Sequence, residues 1–183
     1  MKVVLFLIDV VFFFLVACFL LRAWMNGMRV SLAQQPGTFV MAVSNWCVMP
    51  LRRLLPLAVQ RSRWDVASLL GACLLCLVQA ALLLALGAAW ASSSLALTAG
   101  WGNLPVVALQ FLMRTALNGL LWITIAYALI SWLQPHAPVQ LTLSRLLAPI
   151  LVPLQKRIPR IGGVDLSALV LVLVLQVMLM LIG

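Results

Sequence analysis

Acidic residues are almost missing from this chain. Three aspartates and no glutamate stand against twelve lysines and arginines in 183 residues. Charged residues make up only 8% and hydrophobic residues 66%, whereas a soluble domain is about a quarter charged. So few charges cannot cover a water-facing surface, and lipid is therefore the expected solvent for most of it. The same scarcity argues against enzyme chemistry. His136 is the only histidine and lies between Pro135 and Ala137, with no neighbouring serine, cysteine or carboxylate to form a triad. There is no phosphate-binding glycine loop and no cluster of metal ligands. The expectation is a non-enzymatic protein with no cofactor and no metal. Of the four cysteines, Cys73 and Cys76 form a CxxC that encloses two leucines between apolar flanks. A zinc site needs four ligands and polar surroundings, so these cysteines read as small packing residues, and no disulfide framework is expected.

What the chain does have is long apolar runs, from Val3 to Met25, Val66 to Ala91, Leu104 to Leu133 and Leu166 to Ile182. At about 1.5 Å per helical residue the first three cross ~30 Å of hydrocarbon, and the last meets the lower bound of about 17 residues. Two stretches differ, Gly37 to Leu57 and Pro138 to Ile158, where apolar residues alternate with spaced bases and prolines. In the second, Leu141, Leu143, Leu146, Leu147, Ile150 and Leu151 recur at near-helical spacing, which suits an amphipathic interfacial or re-entrant helix. Pro149, Pro153 and Pro159 are expected to break it into short pieces.

The net charge of +9 would suggest nucleic acid in a soluble protein. Here the bases cluster between the apolar runs, so anionic lipid headgroups are the better partner and nucleic acid is not expected. Arg29, Arg52, Arg53, Arg61 and Arg63 fill one connector and Arg145, Lys156, Arg157 and Arg160 another, while residues 92–103 hold no base. The positive-inside rule puts both basic connectors in the cytoplasm and, with four spans, both termini outside it. Leu15-Val16-Ala17-Cys18 looks like a lipoprotein cleavage site, but Asp9 within the apolar stretch and Arg22 just beyond it favour an ordinary first span.

The chain repeats itself. Met49-Pro50-Leu51-Arg52-Arg53-Leu54-Leu55-Pro56 matches Val152-Pro153-Leu154-Gln155-Lys156-Arg157-Ile158-Pro159. Asp65 opens the second run and Asp165 the fourth, while Trp24 and Trp132 close the first and third. The fold expected is all-α membrane: four transmembrane helices in two parallel two-helix repeats, each with an amphipathic segment between its spans. The repeats cover residues 1–91 and 104–183, joined by an outside linker at 92–103.

Each part of the repeated motif has a physical reading. Pro50, Pro56, Pro153 and Pro159 would frame rigid turns around Arg52, Arg53, Lys156 and Arg157. These bases form a face for lipid or a protein partner, each contributing about 1 kcal/mol toward anionic headgroups. Asp65 and Asp165 read as helix N-caps, with a salt bridge back to the motif arginines as a further role. Gly162-Gly163 supplies a flexible turn before Asp165. Within the spans, Asp9, Arg114 and Asn118 are the polar groups that need partners, because an ionised side chain at the bilayer centre costs at least ~2.5–3.5 kcal/mol. Asp9 and Arg114 enter from the same side, which suggests a pair tying the halves together, with Asn118 on the Arg114 face able to join.

These motifs, with Leu21-Arg22-Ala23-Trp24-Met25 and Ile130-Ser131-Trp132 at the span ends, resemble the YggT family of bacterial inner-membrane proteins. The likeness covers nearly the whole chain. It departs at Gln155, where a base is expected, at Ala168, where proline is common, and before Asp65, where a Gly-Pro-Ile-Asp-like turn is missing. The resemblance implies an association with osmotic or extracytoplasmic stress tolerance. Relatives are linked to haem attachment on cytochrome b6, or to nucleoid and thylakoid organisation, and some lie near cell-division genes. Two functions follow as expectations. One is a membrane scaffold or assembly factor that recruits a partner at the cytoplasmic face. The other is a channel, transporter or transporter regulator in osmotic balance, whose pore would require a homo-oligomer.

Overall fold

The computed structural model describes residues 2–30, 36–54, 65–85, 103–134, 137–156 and 166–182. These residues are helical throughout, with short turns and no strand among them. The helices are α1 (Lys2–Gly27), α2 (Gly37–Leu54), α3 (Val66–Ala85), α4 (Leu104–Leu133), α5 (Pro138–Gln155) and α6 (Leu166–Ile182). Three of them, α1, α3 and α4, are long and apolar enough to cross a membrane. The fourth expected span is α6, an apolar helix of 17 residues. The 86–102 stretch, including the end of the expected second span and all but the last residue of the expected linker, lies outside the described residues.

The helices gather into two trios. α1 packs on α2 and α3, and α2 on α3; α4 packs on α5 and α6, and α5 on α6. The α3–α4 and α1–α4 contacts join the trios. Each trio has its own apolar core. Val16 and Phe19 of α1, Val48 of α2 and Ala72 and Cys76 of α3 build the first, completed by Val107 and Ala108 of α4. Leu121 and Tyr127 of α4, Leu143, Leu147 and Leu151 of α5, and Ala168, Leu171 and Leu175 of α6 build the second. Outside these cores, large apolar side chains face outward on every long helix: Phe6 and Val11 on α1, Val78 on α3, Leu109 on α4, Leu173 and Val177 on α6. Contiguous exposed apolar surface of this extent marks a face covered by something other than water, as the composition implies.

Close approach of α1 and α3 rests on one glycine. A Cβ built on Gly71 would lie 2.5 Å from the Phe19 ring, so only hydrogen leaves room for that buried ring. α1 ends in a Schellman motif: Val30 N–H donates to Met25 O at 3.0 Å and Arg29 N–H to Asn26 O at 3.1 Å. Arg29 holds the left-handed position at φ 53°, where glycine is usual.

The prolines do not break the amphipathic helices. α2 runs through Pro50, and α5 through Pro149 and Pro153, without interruption. All three are exposed. On α5 the two prolines, four residues apart, share an exposed strip beside the buried face of Leu143, Leu146, Leu147 and Leu151. Their rings and the backbone bonds they remove therefore lie away from the packed face, which holds the helix together. The turns expected around the bases are also corrected in part. Pro50, Arg52 and Arg53 belong to the last turns of α2, and Pro153 to α5, which ends just before Lys156. Pro56, Arg157, Pro159, Gly162, Gly163 and Asp165 lie outside the described residues.

Candidate functional site

The polar groups of the first trio converge on Asp65, the residue before α3. Its backbone carbonyl accepts from Leu69 N–H at 3.1 Å, the first bond of the helix, which is the N-cap position. Its carboxylate is almost wholly buried. Oδ2 accepts from Ser68 Oγ at 2.9 Å and from Arg52 at 2.8 Å, and Arg22 Nε lies 3.3 Å away. Arg22 Nη1 donates to Ser44 Oγ at 2.7 Å and to Asn45 Oδ1 at 2.8 Å. Ser44 Oγ in turn donates to Val40 O at 2.7 Å.

One carboxylate thus lies between two guanidiniums from different helices. Arg22 is 5% exposed, whereas the Arg52 side chain is 46% exposed. A buried ion pair needs its remaining donors and acceptors satisfied; Ser44, Asn45 and Ser68 supply hydrogen bonds here, while Arg22 Nε makes only the 3.3 Å ion contact with Asp65. The cluster ties α1, α2 and the start of α3 together. Two bases against one acid give it a formal charge of +1, and it reaches the outside through half-exposed Arg52.

The salt bridge expected between Asp65 and a motif arginine is present, through Arg52. Arg53, next to it, is exposed, as is Lys156 at the end of α5. Sequence reading missed Arg22, Ser44, Asn45 and Ser68. The Asp65-to-Ser68 spacing of a helix start was a usable signal. So was Arg22, an intramembrane cation that had no partner on its own helix.

Two other intramembrane residues, Asp9 and Asn118, are also hydrogen-bonded. Gln79 Nε2 donates to Asp9 Oδ1 at 3.2 Å, so the bond at Asp9 holds α1 to α3 inside one trio. Asn118 Nδ2 turns back to Arg114 O on its own helix at 3.1 Å. It is Trp24 that bridges the trios, its indole N–H donating to Leu146 O of α5 at 3.0 Å. Gln79 is buried while Gln176 is exposed, so the two glutamines at similar sequence positions do different things. Cys73 is exposed and Cys76 buried. Among the described residues, no group of three or more histidines, cysteines or acids could hold a metal.

The CCB3/YggT family model matches residues 1–86 and 106–183. A protein of Escherichia coli strain K12 named "Uncharacterized protein YggT" is 29% identical over 181 residues, covering 97% of this chain and 87% of that protein. The "Uncharacterized protein in proC 3'region" of Vibrio alginolyticus is 28% identical over 172 residues, covering 93% of this chain and 88% of that one. No solved structure matches. With the family matched along both trios, and with helices of spanning length and polarity, the chain belongs to the CCB3/YggT family.

Proposed function

We propose that this is a non-enzymatic, multi-pass inner-membrane scaffold or assembly factor, with four spans in two parallel repeats and both termini outside the cytoplasm. On this reading α6 crosses at the short end of the usable range, about 17 residues, by thinning the bilayer locally or drawing its flanks inward. α2 is the re-entrant or interfacial element of its repeat. Its Phe39 ring lies 5.9 Å from Phe14, midway along α1, and its Ser44 bonds Arg22 further on, so it lies beside α1 rather than across its end.

One observation carries the scaffold reading. Arg22, Arg52 and Gln79 of the first trio bond partners on other elements, while exposed Arg53 and Lys156 stand at the ends of α2 and α5. Buried polar groups used as ties hold the helices in place, and exposed bases at helix ends suit anionic headgroups and an acidic partner surface. The stress association implied by the family likeness fits a membrane organiser working under osmotic load. The alternative is an oligomeric channel, transporter or transporter regulator in osmotic or ion balance, which needs a polar path continuing through the spans.

Charge reversal of Arg53, Lys156 and Arg157, leaving Arg52 to hold Asp65, separates these readings. A scaffold loses its co-purifying partner from native membranes and its preference for anionic vesicles. If the partner stays bound while ion flux in liposomes disappears, the channel reading replaces it.

A further inference from the structure

The two trios leave a gap between them. A cavity of about 230 Å³ opens between α1, α3, α4 and α5, with walls that include Ala17 and Trp24 of α1, Thr115, Gly119 and Leu120 of α4, and Leu146 of α5. Gly119 borders open space, since a Cβ built there would meet nothing within 4 Å. The Trp24–Leu146 hydrogen bond closes one end. From Ala17 to Trp24 the cleft follows α1 for about 10 Å, at the rise of an α-helix.

We propose that this cleft holds an acyl chain of an anionic phospholipid, seated between the trios. Its size favours a chain over a whole small molecule, because pockets for drug-sized ligands enclose about 300–1,000 Å³. Its walls are almost entirely apolar, so water gains few partners there and an empty cleft leaves wall atoms without contacts. The outer surface around it is the lipid-facing one, where acyl chains are the surrounding solvent. Charge selects the headgroup: Arg145, next to Leu146 on α5, and Arg29, just beyond the α1 end that carries Trp24, are both exposed. A phosphate held near them puts its chain at the Trp24 end of the cleft, where tryptophan commonly marks headgroup depth.

The test is photo-crosslinking of the full chain reconstituted in phosphatidylcholine vesicles that carry a trace of phosphatidylglycerol with a diazirine in one chain. Adducts are mapped by peptide mass spectrometry. Labelling at lipid-facing Leu173 reports embedding independently of the cleft. Adducts are expected to concentrate on residues 17–24 and 115–123. Gly119→Phe, which fills the open space, should lower them at least fivefold with Leu173 labelling unchanged. Arg145→Gln, which leaves the cleft intact, should reduce competition by unlabelled phosphatidylglycerol over phosphatidylcholine about fivefold, as expected for the loss of one headgroup-level base. Labelling spread evenly over the outer helix faces and unmoved by Gly119→Phe overturns the site. Equal competition by both lipids in the unaltered chain overturns the anionic assignment. A diazirine-bearing photo-leucine in place of Leu120 that crosslinks to a second copy of the chain rather than to lipid overturns the lipid.

Discussion

Among the described residues, the two trios pack matching positions with different chemistry. Counting from Trp24 and Trp132, from Pro50 and Pro153, and from Asp65 and Asp165, the first trio's Arg22, Ser44, Asn45, Arg52 and Ser68 stand where the second has Ile130, Leu147, Ala148, Gln155 and Ala168. Ser44 and Ser68 are fully buried and hydrogen-bonded, whereas Leu147 and Ala168 are equally buried in an apolar core. A buried charged network and an apolar cluster thus hold similar sets of three helices. Such exchanges are often close to neutral when complete and costly when partial, because a lone buried charge keeps its desolvation cost without its partner. The polar version is also directional, since hydrogen bonds fix which faces meet while leucines tolerate repacking.

Breaking the network at its centre should have the largest effect. Asp65→Asn leaves Arg22 buried without its counter-charge and should cost about 3–5 kcal/mol, read as a lowered thermal midpoint in detergent. Adding Arg22→Ile, Ser44→Leu and Ser68→Ala, the residues of the second trio, should recover half or more of that loss. A quadruple variant no more stable than Asp65→Asn would show that the two solutions are not interchangeable.

Two glycines sharpen the contrast at the next level. Gly71→Val drives a side chain into the buried Phe19 ring and should cost about 1–3 kcal/mol. Gly119→Ala meets open space and should be neutral or stabilise by up to about 1 kcal/mol through helix propensity. Similar losses at both positions would refute the difference in packing between α3 and α4. Trp24→Phe keeps the ring but removes the N–H that reaches Leu146. It should cost about 0.5–1.5 kcal/mol and, because the bond joins the trios, broaden the unfolding transition rather than only shift it. The smallest change is expected from Gln79→Leu, about 0.6 kcal/mol. Gln110, whose Nε2 donates to Ile182 O at 3.0 Å, pins α4 to the end of α6 and should give a similarly small loss when made leucine.

Much of this was legible beforehand because it is local. The helices begin and end close to where apolar runs and amphipathic spacing put them, with α2 and α5 continuing through prolines that local rules would make breakers. The Asp65–arginine bridge was legible because basic motif and aspartate are near neighbours in the chain. The rest depended on distant faces. Arg22 has to meet Ser44, Asn45 and Asp65 across two helix interfaces, and Asp9 chose Gln79 on α3 from several polar residues at comparable depth.

What the sequence determined by itself is the solvent and the secondary structure: too few charges for water, runs long enough for lipid, and bases gathered at helix ends. These are sums along the chain, and hydropathy and periodicity report them directly. Only the tertiary structure decided which buried polar groups are partners, that Gly71 rather than Gly119 lies under a ring, and that a cleft remains between the trios. Those outcomes depend on the rotation and crossing of whole helices, where a turn of one residue, about 100° in an α-helix, moves a side chain to another face.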